Sequence, residues 1–398
     1  MSSSSNSFVS ETTIQQPTAE PVPPLRLEIL PATSRTAAME IWQKVECDLR
    51  STRMMVSSVW TETWLSHFGQ LIPHQFAVAY RGEVACGIGL ITQGIGQRNG
   101  PIRTQTYHLG TAGEPEMDSA CVEYNALLVQ PTDRLEFQRA IWTWAGQQYD
   151  WEEFRLDGFH EDDVRDWITA DPRWTVVIKP ARYFDVKTAR ENNVDPLTLL
   201  GPQTRSAIRR SLRRAGSNQC EWAETAADAE RIFAELTELH QARWNSDGKP
   251  GCYSSRIFHD FHLDLLHRLV PLGLMGLFRV RSDEGTIGCN QVLIDQNRVC
   301  IYQSGRILPT DHRLSAGVVV DYMLIEESRR RGFDAVDFLA GDSPHKRRLS
   351  THSTPLAWAV YRRPSLKHSL IDGLRTVKHA IRRTFRSPVK NIDPPKDV

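Results

Sequence analysis

The amino-acid sequence predicts a mixed α/β (α+β) protein of two domains, each a mostly antiparallel sheet flanked by helices. The chain has 398 residues, which suits two to three domains at about 150 residues each. Runs of alternating apolar residues indicate strands, and apolar residues spaced three and four apart indicate helices. Asp195-Pro196 and Gly201-Pro202 break these patterns, so we place a first domain at 25–185 and a second at 195–361.

The first domain is predicted to begin with a strand, two helices and a hairpin. The second of these helices carries Trp60, Trp64 and Phe68 at helical spacing. The hairpin turns at Arg81-Gly82, a short connection that contains glycine. The predicted elements cover residues 25–30, 34–48, 75–80, 84–93, 135–149, 154–157, 162–169 and 174–178.

The second domain is predicted to begin with an Arg-rich helix and two further helices, followed by a hairpin, a strand, a helix and a strand. Gly332 marks the end of the helix at 316–331, because glycine commonly stands just beyond a helix C-terminus. The predicted elements cover residues 203–215, 226–246, 257–270, 274–281, 286–294, 298–305, 316–331, 335–339 and 355–361.

Composition narrows the class of protein. Hydrophobic residues make up 40% of the chain, which excludes wholesale disorder. No stretch approaches the roughly 18 apolar residues that span a bilayer. Residues 1–24 are rich in serine and lack the basic start of a signal peptide, so we predict a disordered tail. The seven cysteines form no C-x-x-C pair, and we expect reduced thiols, a cytoplasmic location and no metal site.

The formal net charge of zero hides an uneven distribution. Residues 114–172 contain fifteen Asp or Glu against four Arg, whereas residues 205–214 contain five Arg and no acid. Between 365 and 387, apolar residues recur three and four apart among Lys and Arg. The tail at 362–398 is therefore predicted to be basic and amphipathic, and it lies on an anionic membrane surface or packs on the protein.

Two phosphate-binding motifs, G-x-G-x-x-G and G-x-x-x-x-G-K-[ST], do not occur in the sequence, which argues against Rossmann and P-loop sites. The turn region at 305–318 instead leads from a strand into a helix N-terminus, where backbone N–H groups can hold phosphate.

Six short segments together carry a resemblance to a known family. They are T-R-S-A-I-R-R-S-L-R-R at 204–214, L-H-Q-A-R-W at 239–244, I-Y-Q-S-G at 301–305, S-A-G-V-V-V-D-Y at 315–322, D-F-L-A-G-D-S-P-H-K at 337–346 and, more loosely, S-S-V-W-T-E-T-W-L at 57–65. In this order they resemble the GNAT-fold acyltransferases of the CelD/BcsL type, relatives of the Fem peptidyltransferases. The resemblance implies tandem GNAT-like domains, with the acyltransferase domain at 195–361. It also implies direct transfer of an acyl group from acyl-CoA to a polar cell-envelope or polysaccharide-related acceptor.

By this resemblance, the pyrophosphate of the donor lies on the loop before the helix at 316–331. GNAT enzymes have [RQ]-x-x-G-x-[GA] in this loop. Arg313, Ser315, Ala316 and Gly317 are the corresponding donor-binding residues, and Ser315 replaces the first glycine of the motif. Ser315 could also simply cap the helix, and the two roles are compatible.

Transfer from a thioester requires a deprotonated acceptor, a stabilised oxyanion and a protonated thiolate. His240 is the candidate general base, or else a cationic histidine favoured by a helix C-terminus. Tyr302 could donate a proton or line the acyl pocket, or could be an ordinary aromatic on a half-buried strand. Asp337 stands at a strand end and could orient the base or bind an acceptor amine.

Arg243, Trp244 and Lys346 are the predicted substrate-binding residues. Arg243 and Trp244 share a helical face with His240, although Trp244 could belong to the core. Lys346 could bind an acceptor carboxylate or phosphate or stabilise the oxyanion, or could be an ordinary surface lysine.

The Arg-rich helix is the strongest signal from the residues alone. Arg205, Arg209 and Arg213 form one ridge, and Arg210 and Arg214 form another. Like charges at this spacing repel one another, so a counterion is expected. The counterion is either a bound phosphate or carboxylate or the acidic region at 114–172.

Two other functions stay open. A Fem-like transferase that uses aminoacyl-tRNA would hold RNA on the Arg-rich helix and the basic tail, and its binding would weaken with salt. A non-catalytic GNAT scaffold would bind a membrane or a partner protein through its basic ends.

Overall fold

The computed structural model describes residues 22–49, 51–96, 103–169, 171–308, 311, 313–365 and 367. The predicted disordered tail up to residue 21, and the predicted amphipathic tail beyond residue 367, lie outside the described residues. The strands are β1 (Leu25–Pro31), β2 (His74–Arg81), β3 (Val84–Gly96), β4 (Thr104–Leu109), β5 (Leu128–Val129), β6 (Glu153–His160), β7 (Trp174–Asp185), β8 (Gln219–Trp222), β9 (Met275–Ser282), β10 (Gly285–Asp295), β11 (Arg298–Arg306), β12 (Ala335–Ala340) and β13 (His352–Arg362). The α-helices are α1 (Arg35–Asp48), α2 (Ser58–Phe68), α3 (Arg134–Gln147), α4 (Glu161–Thr169), α5 (Val186–Glu191), α6 (Pro202–Ala215), α7 (Ala226–Ser246), α8 (Arg256–Leu269), α9 (Ala316–Arg331) and α10 (Pro344–Leu349).

The order of elements repeats between the two halves of the chain. From β1 to β7 the first half has a strand, two helices, three strands, a helix, a strand, a helix and a strand, with β5 as an addition. From β8 to β13 the second half follows the same order. This repetition confirms the predicted tandem arrangement of two mixed units flanked by helices.

The described strands form one continuous sheet that runs through both halves. Its order is β1-β2-β3-β4-β6-β13-β7-β12-β11-β10-β9-β8, with β5 paired to β3 off this path. The pairs β4–β6 and β11–β12 are parallel, and the other pairs between neighbouring strands on this path are antiparallel. The sheet is thus mixed and mostly antiparallel, as predicted.

The two halves exchange their last strands at the centre of the sheet. β13, from the end of the second half, pairs with β6 of the first half. β7, from the end of the first half, pairs with β12 of the second half. β7 and β13 also pair with each other, so backbone ladders join the halves along three neighbouring strand pairs.

Aromatic side chains form the packed core between α2 and α8, one helix from each half. Trp60, Trp64 and Phe68 share the buried face that their spacing predicted. Phe261 of α8 packs edge-on against Trp60, with ring centroids 5.4 Å apart, and against Phe68 at 5.6 Å. This contact fixes the two halves relative to each other on one side of the sheet.

Helices whose ends depend on neighbouring residues have the predicted bounds, whereas the length of a strand depends on the strands that pair with it. α7 and α9 begin and end at the predicted residues. Gly332 ends α9 with φ of 84°, and the Phe333 N–H donates to the Ser328 carbonyl at 3.0 Å. The predicted end of β7 at residue 178 is wrong, because this strand continues to Asp185 between β13 and β12. β4, β5, β8, α5 and α10 were not predicted.

Each parallel pair is joined over only three residues of each strand. Residues 106–108 of β4 pair with 153–155 of β6, and residues 298–300 of β11 pair with 335–337 of β12. Beyond these three residues the two strands of each pair are no longer hydrogen-bonded to each other, which leaves an opening between them. Residues 110–125 of the first half contact the strands at both openings, and we call this segment the connecting loop.

No helix within the described ranges is both long enough and apolar enough to cross a lipid bilayer.

Candidate active site

The first turn of α9 offers backbone N–H groups that no side chain caps. Ser315 is the N-cap residue, but its hydroxyl makes no capping hydrogen bond. The first turn contains no acidic residue, so nothing in it opposes the partial positive charge of the helix end. Arg313, Ser315, Ala316 and Gly317, the predicted donor-binding residues, lie at this turn, where a phosphate can accept hydrogen bonds.

The Arg-rich helix α6 lies directly beside this turn. The Ser315 N–H donates to the Ser211 hydroxyl at 3.4 Å. Arg214 forms an ion pair with Asp311, just ahead of the turn. One face of α6 is therefore held against the loop that the resemblance assigns to the donor.

Three arginines of α6 remain available to a ligand. Arg209, Arg210 and Arg213 are exposed. In the part of the chain that the structure describes, they form no ion pair, and no arginine of α6 pairs with the acidic region at 114–172. Among these contacts, the acidic region at 114–172 does not act as the counterion of α6. The other predicted counterion, a bound phosphate or carboxylate, is therefore favoured.

A buried polar network lies behind the first turn of α9. The Asp321 carboxylate accepts hydrogen bonds from Arg306 at 2.7 Å and Asn290 at 3.1 Å, and His345 Nε2 lies 2.6 Å from it. Burial alone would raise the pKa of Asp321, but Arg306 and His345 outweigh burial, and the pKa is lowered. A Cβ at Gly317 would stand 3.0 Å from Arg306 Nη1, so glycine at this position lets the guanidinium approach the helix end.

Asp337 is fully buried at the end of the β11–β12 ladder. Its carboxylate accepts hydrogen bonds from the Tyr124 hydroxyl at 2.6 Å, from Arg298 at 2.5 Å and from the Leu339 N–H at 2.7 Å. Three donors from the protein therefore occupy it, and it ties the connecting loop to β12.

Tyr302 lies on β11 and faces the connecting loop. Its hydroxyl donates to the Ala120 carbonyl, and its ring packs 6.1 Å from Trp60 and 5.0 Å from His262. Burial raises the pKa of the phenol well above its ordinary value, so Tyr302 keeps its proton at neutral pH.

Lys346 is not the ordinary surface lysine of the alternative interpretation. Its Nζ donates to the carbonyls of Leu339 at 3.1 Å and Ala340 at 2.7 Å. Burial lowers the pKa of the ammonium, although Glu123, Asp337 and Asp321 oppose the shift. Lys346 is therefore a half-buried cation between the α9 network and the connecting loop.

His240 lies near the end of α7. Its Nε2 is 3.5 Å from Cys252 Sγ, and its Nδ1 is 3.2 Å from the Gln241 side chain. Burial lowers the pKa of His240, which disfavours the cationic form that the alternative interpretation requires. Arg243 is exposed, and Trp244 is 37% exposed, so the indole is not part of the core.

The structure thus brings Tyr302, Asp337 and Lys346 to the connecting loop, while His240 contacts Cys252. It also reveals a carboxylate that the sequence analysis missed. Glu123 accepts a hydrogen bond from the Ala340 N–H at 2.6 Å, beside Lys346. It is one of fifteen acids between 114 and 172, and no spacing distinguishes it from the others.

No group of three or more His, Cys, Asp or Glu side chains within the described ranges is arranged to hold a metal ion.

A family model matches the segment that contains α6, α9 and this network. Residues 202–347 match the acetyltransferase (GNAT) domain family. This segment is similar to GNAT acetyltransferase domains. By this match the chain is an acyltransferase, which agrees with the fold class and with the resemblance given for the domain at 195–361.

Solved structures with the same fold cover both halves. FemX aligns with 84% of this chain and 98% of its own, at 11% identity and a TM-score of 0.54. The C-terminal domain (DUF2156) of a putative lysylphosphatidylglycerol synthetase from Agrobacterium fabrum aligns with 87% of this chain and 97% of its own, at 10% identity and a TM-score of 0.51. At such identities the likeness shows the fold alone. No curated protein matches the chain in sequence.

Proposed function

We propose that this protein transfers an acyl group from acyl-CoA to an amine or hydroxyl of a polar cell-envelope or polysaccharide-related acceptor. The first turn of α9 is the observation that supports this proposal. It combines uncapped N–H groups, no acid and a neighbouring helix with three exposed arginines. An anionic pyrophosphate fits these groups, because N–H donors and guanidinium forks both favour phosphate oxygens.

In this proposal, the pyrophosphate binds at Arg313, Ser315, Ala316 and Gly317, and the acyl chain enters the opening between β11 and β12. Tyr302 is the residue of the predicted catalytic set that faces this opening, as a neutral phenol. Asp337 acts through the groups it binds, since it holds the connecting loop against β12. The role of His240 as the general base stays a prediction.

Calorimetric titration with acyl-CoA tests the donor site. The variant Arg210→Ala/Arg213→Ala should bind acyl-CoA at least about tenfold more weakly, because charge-assisted contacts to phosphate oxygens are lost. Arg256→Ala is the matched control, since this arginine is 94% exposed on α8, away from α9. Wild-type protein that does not bind acyl-CoA would overturn the proposal.

The length of the arginine surface favours a second candidate function. The five arginines from Arg205 to Arg214 cover about 14 Å of α6, a longer basic surface than one pyrophosphate requires. An aminoacyl-tRNA donor would use this surface through its phosphate backbone. Its binding should then weaken steeply with salt, and the same double variant should reduce the salt slope by about two. A salt-independent association with tRNA, or none, would exclude this candidate.

A further inference from the structure

A cavity of about 320 Å³ lies at the centre of the shared sheet, on one face of β4, β6, β13 and β7. The opposite face of these strands is apolar, where Phe154, Trp174 and Tyr361 pack around Trp142. Successive side chains of a strand point to opposite faces, so the polar residues that alternate with this core form the cavity floor. The floor residues are Thr106, His108, Arg155, Asp157, Lys179 and Trp358.

The polar groups of the cavity floor contact one another. The Thr106 hydroxyl donates to the Gly94 carbonyl at 2.6 Å, and its oxygen lies 3.0 Å from His108 Nε2. The other ring nitrogen, Nδ1, lies 3.0 Å from the Asp157 carboxylate, and Arg155 lies 3.6 Å from that carboxylate. The floor therefore presents hydrogen-bonding groups whose positions are fixed by these contacts, which suits the hydroxyl groups of a ligand.

An indole completes the floor. Trp358 lies on β13 beside these polar groups, and Lys179 Nζ stands 4.2 Å from its ring centroid. An aromatic surface next to planar, paired hydrogen-bonding groups matches the two sides of a sugar ring, which carries apolar C–H groups and hydroxyls.

The wall of the cavity is the connecting loop, and the second half of the chain holds this loop in place. Ser255 donates to Asp118 at 2.6 Å, Tyr302 donates to the Ala120 carbonyl, and Tyr124 donates to Asp337 at 2.6 Å. The same loop therefore borders the cavity on one side and the β11–β12 opening on the other. A ligand in the cavity would meet an acyl group in that opening at this loop.

Glu123 is a cavity residue that contacts β12 in the second half. It lines the cavity and accepts from the Ala340 N–H of β12 at 2.6 Å. Burial raises the pKa of this carboxyl, and Asp337 acts in the same direction, whereas the Ala340 N–H, Lys346 and Lys179 oppose the shift. A carboxylate with a raised pKa in a cleft suits a general base.

The wall is acidic. Glu114, Glu116 and Glu123 line it, and Lys179 is the one floor cation without a floor carboxylate among the described ion pairs. This excess of carboxylates attracts an ammonium group rather than an anionic acceptor.

We infer that the cavity is the acceptor site, that its ligand is a saccharide with a free primary amine, and that Glu123 is the base. This inference rests on the proposed acyl transfer. The bound ammonium first loses one proton to solvent, and the neutral amine nitrogen then attacks the thioester carbonyl carbon, so that a C–N bond forms and the C–S bond breaks. Glu123 takes the second proton, which the nitrogen loses in this attack, and returns it to solvent, and the thiolate takes a proton from solvent.

Binding of glucosamine oligosaccharides tests the site without any donor. Calorimetry should show that wild-type protein binds them at least about tenfold more tightly than their fully N-acetylated counterparts, which lack the ammonium group. Trp358→Ala should weaken binding about tenfold or more and leave acyl-CoA binding unchanged. The pair of ligands keeps the inference testable even if this variant does not fold.

Glu123→Gln tests the base. Its saccharide affinity should fall by less than about tenfold, because Glu114 and Glu116 remain in the wall, while kcat falls about 100-fold and the acidic limb of the kcat–pH profile disappears. An unchanged pH profile would overturn the role of Glu123. Intact acyl-CoA binding with no preference for the amine-bearing oligosaccharide would overturn the acceptor site and leave the proposed function standing, whereas absent acyl-CoA binding would overturn the proposed function itself.

Discussion

The helices α3 and α9 occupy equivalent places in the two halves, each between the strands of a parallel pair, but their N-termini differ in charge. Asp133 and Glu136 stand at the start of α3, and Arg81 donates to both. The first turn of α9 has no acid, and the arginines of α6 lie beside it.

The same backbone order thus supports different chemistry in the two halves. At α3 the partial positive charge of the helix end is already opposed by carboxylates, so an anion gains little there. At α9 the charge is available and reinforced. The helix end in the second half suits an anionic donor, while the first half contributes an acidic cavity wall.

The largest expected effect concerns the contacts that hold each parallel pair. Asp337→Ala removes a fully buried carboxylate that accepts from Tyr124, Arg298 and the Leu339 N–H, and the free energy of unfolding should fall by about 3–5 kcal/mol. Asp157→Ala in the first half should lower it by only about 1 kcal/mol, because the Asp157 carboxylate is 20% exposed and water weakens its ion pairs in the folded protein. Urea unfolding of both variants measures the difference.

Asp337→Asn is the control, because its amide oxygen still accepts from the Leu339 N–H. Its loss of stability should lie between wild type and Asp337→Ala. Equal losses for the two alanine variants would show that the two parallel pairs are held alike.

A smaller effect on stability is expected when the N-terminus of α9 is given an acidic residue like the one at the N-terminus of α3. Ser315→Asp places a carboxylate at the N-cap, as Asp133 does in α3. The helix should be stabilised by about 0.5–1 kcal/mol, whereas acyl-CoA should bind at least about tenfold more weakly because like charges repel. Thermal unfolding and calorimetry should therefore move in opposite directions.

Ser315→Asn separates capping from charge. It should stabilise the helix similarly and leave acyl-CoA affinity close to wild type. If the Asp variant binds acyl-CoA as well as the Asn variant, the pyrophosphate does not lie at this turn.

The smallest expected effect is on the pH dependence of stability, where Glu123 and Asp321 should act with opposite signs. The raised pKa of Glu123 stabilises the fold fully below the unfolded value of about 4.3, and this contribution is lost as pH rises through the folded pKa. The lowered pKa of Asp321 stabilises the fold above the unfolded value of about 3.9, and this contribution is lost as pH falls through the folded pKa.

Urea unfolding at pH 4 and pH 8 measures the contribution of Glu123, and unfolding at pH 3 and pH 6 measures that of Asp321. Compared with wild type, Glu123→Gln should gain stability on going from pH 4 to pH 8, and Asp321→Asn should lose it on going from pH 3 to pH 6. Changes of the same sign in the two variants would contradict the environments described for these carboxylates.

The sequence predicts what neighbouring residues determine. Helix α9 could be bounded because apolar spacing and Gly332 both act locally. The arginine ridges of α6 could be predicted from the sequence, but their counterion could not. Only the fold shows that α6 lies beside the first turn of α9, where Ser211 contacts Ser315. Asp321 and His345 lie within the quoted motifs, yet their contact depends on the packing of α10 against α9.

The features that could not be predicted depend on contacts between residues far apart in the sequence. Nothing in β7 or β13 indicates that each pairs with the other half, because strand partners are chosen by tertiary contacts. Glu123 was indistinguishable among the acids of its region, since its raised pKa arises from burial beside β12 and Lys346. The role of such a residue becomes visible only in three dimensions.

Because the two halves exchange their last strands, the boundaries of the matched segment do not define a fragment that contains a complete sheet. A fragment of residues 202–347 would lack both β13 and β7, so β12 would become an open edge on the side where β7 now pairs with it. Unpaired edge strands favour aggregation. The proposed donor-binding half would therefore not be stable alone, and the connecting loop would be lost with the other half. The proposed donor and acceptor sites belong to one folding unit.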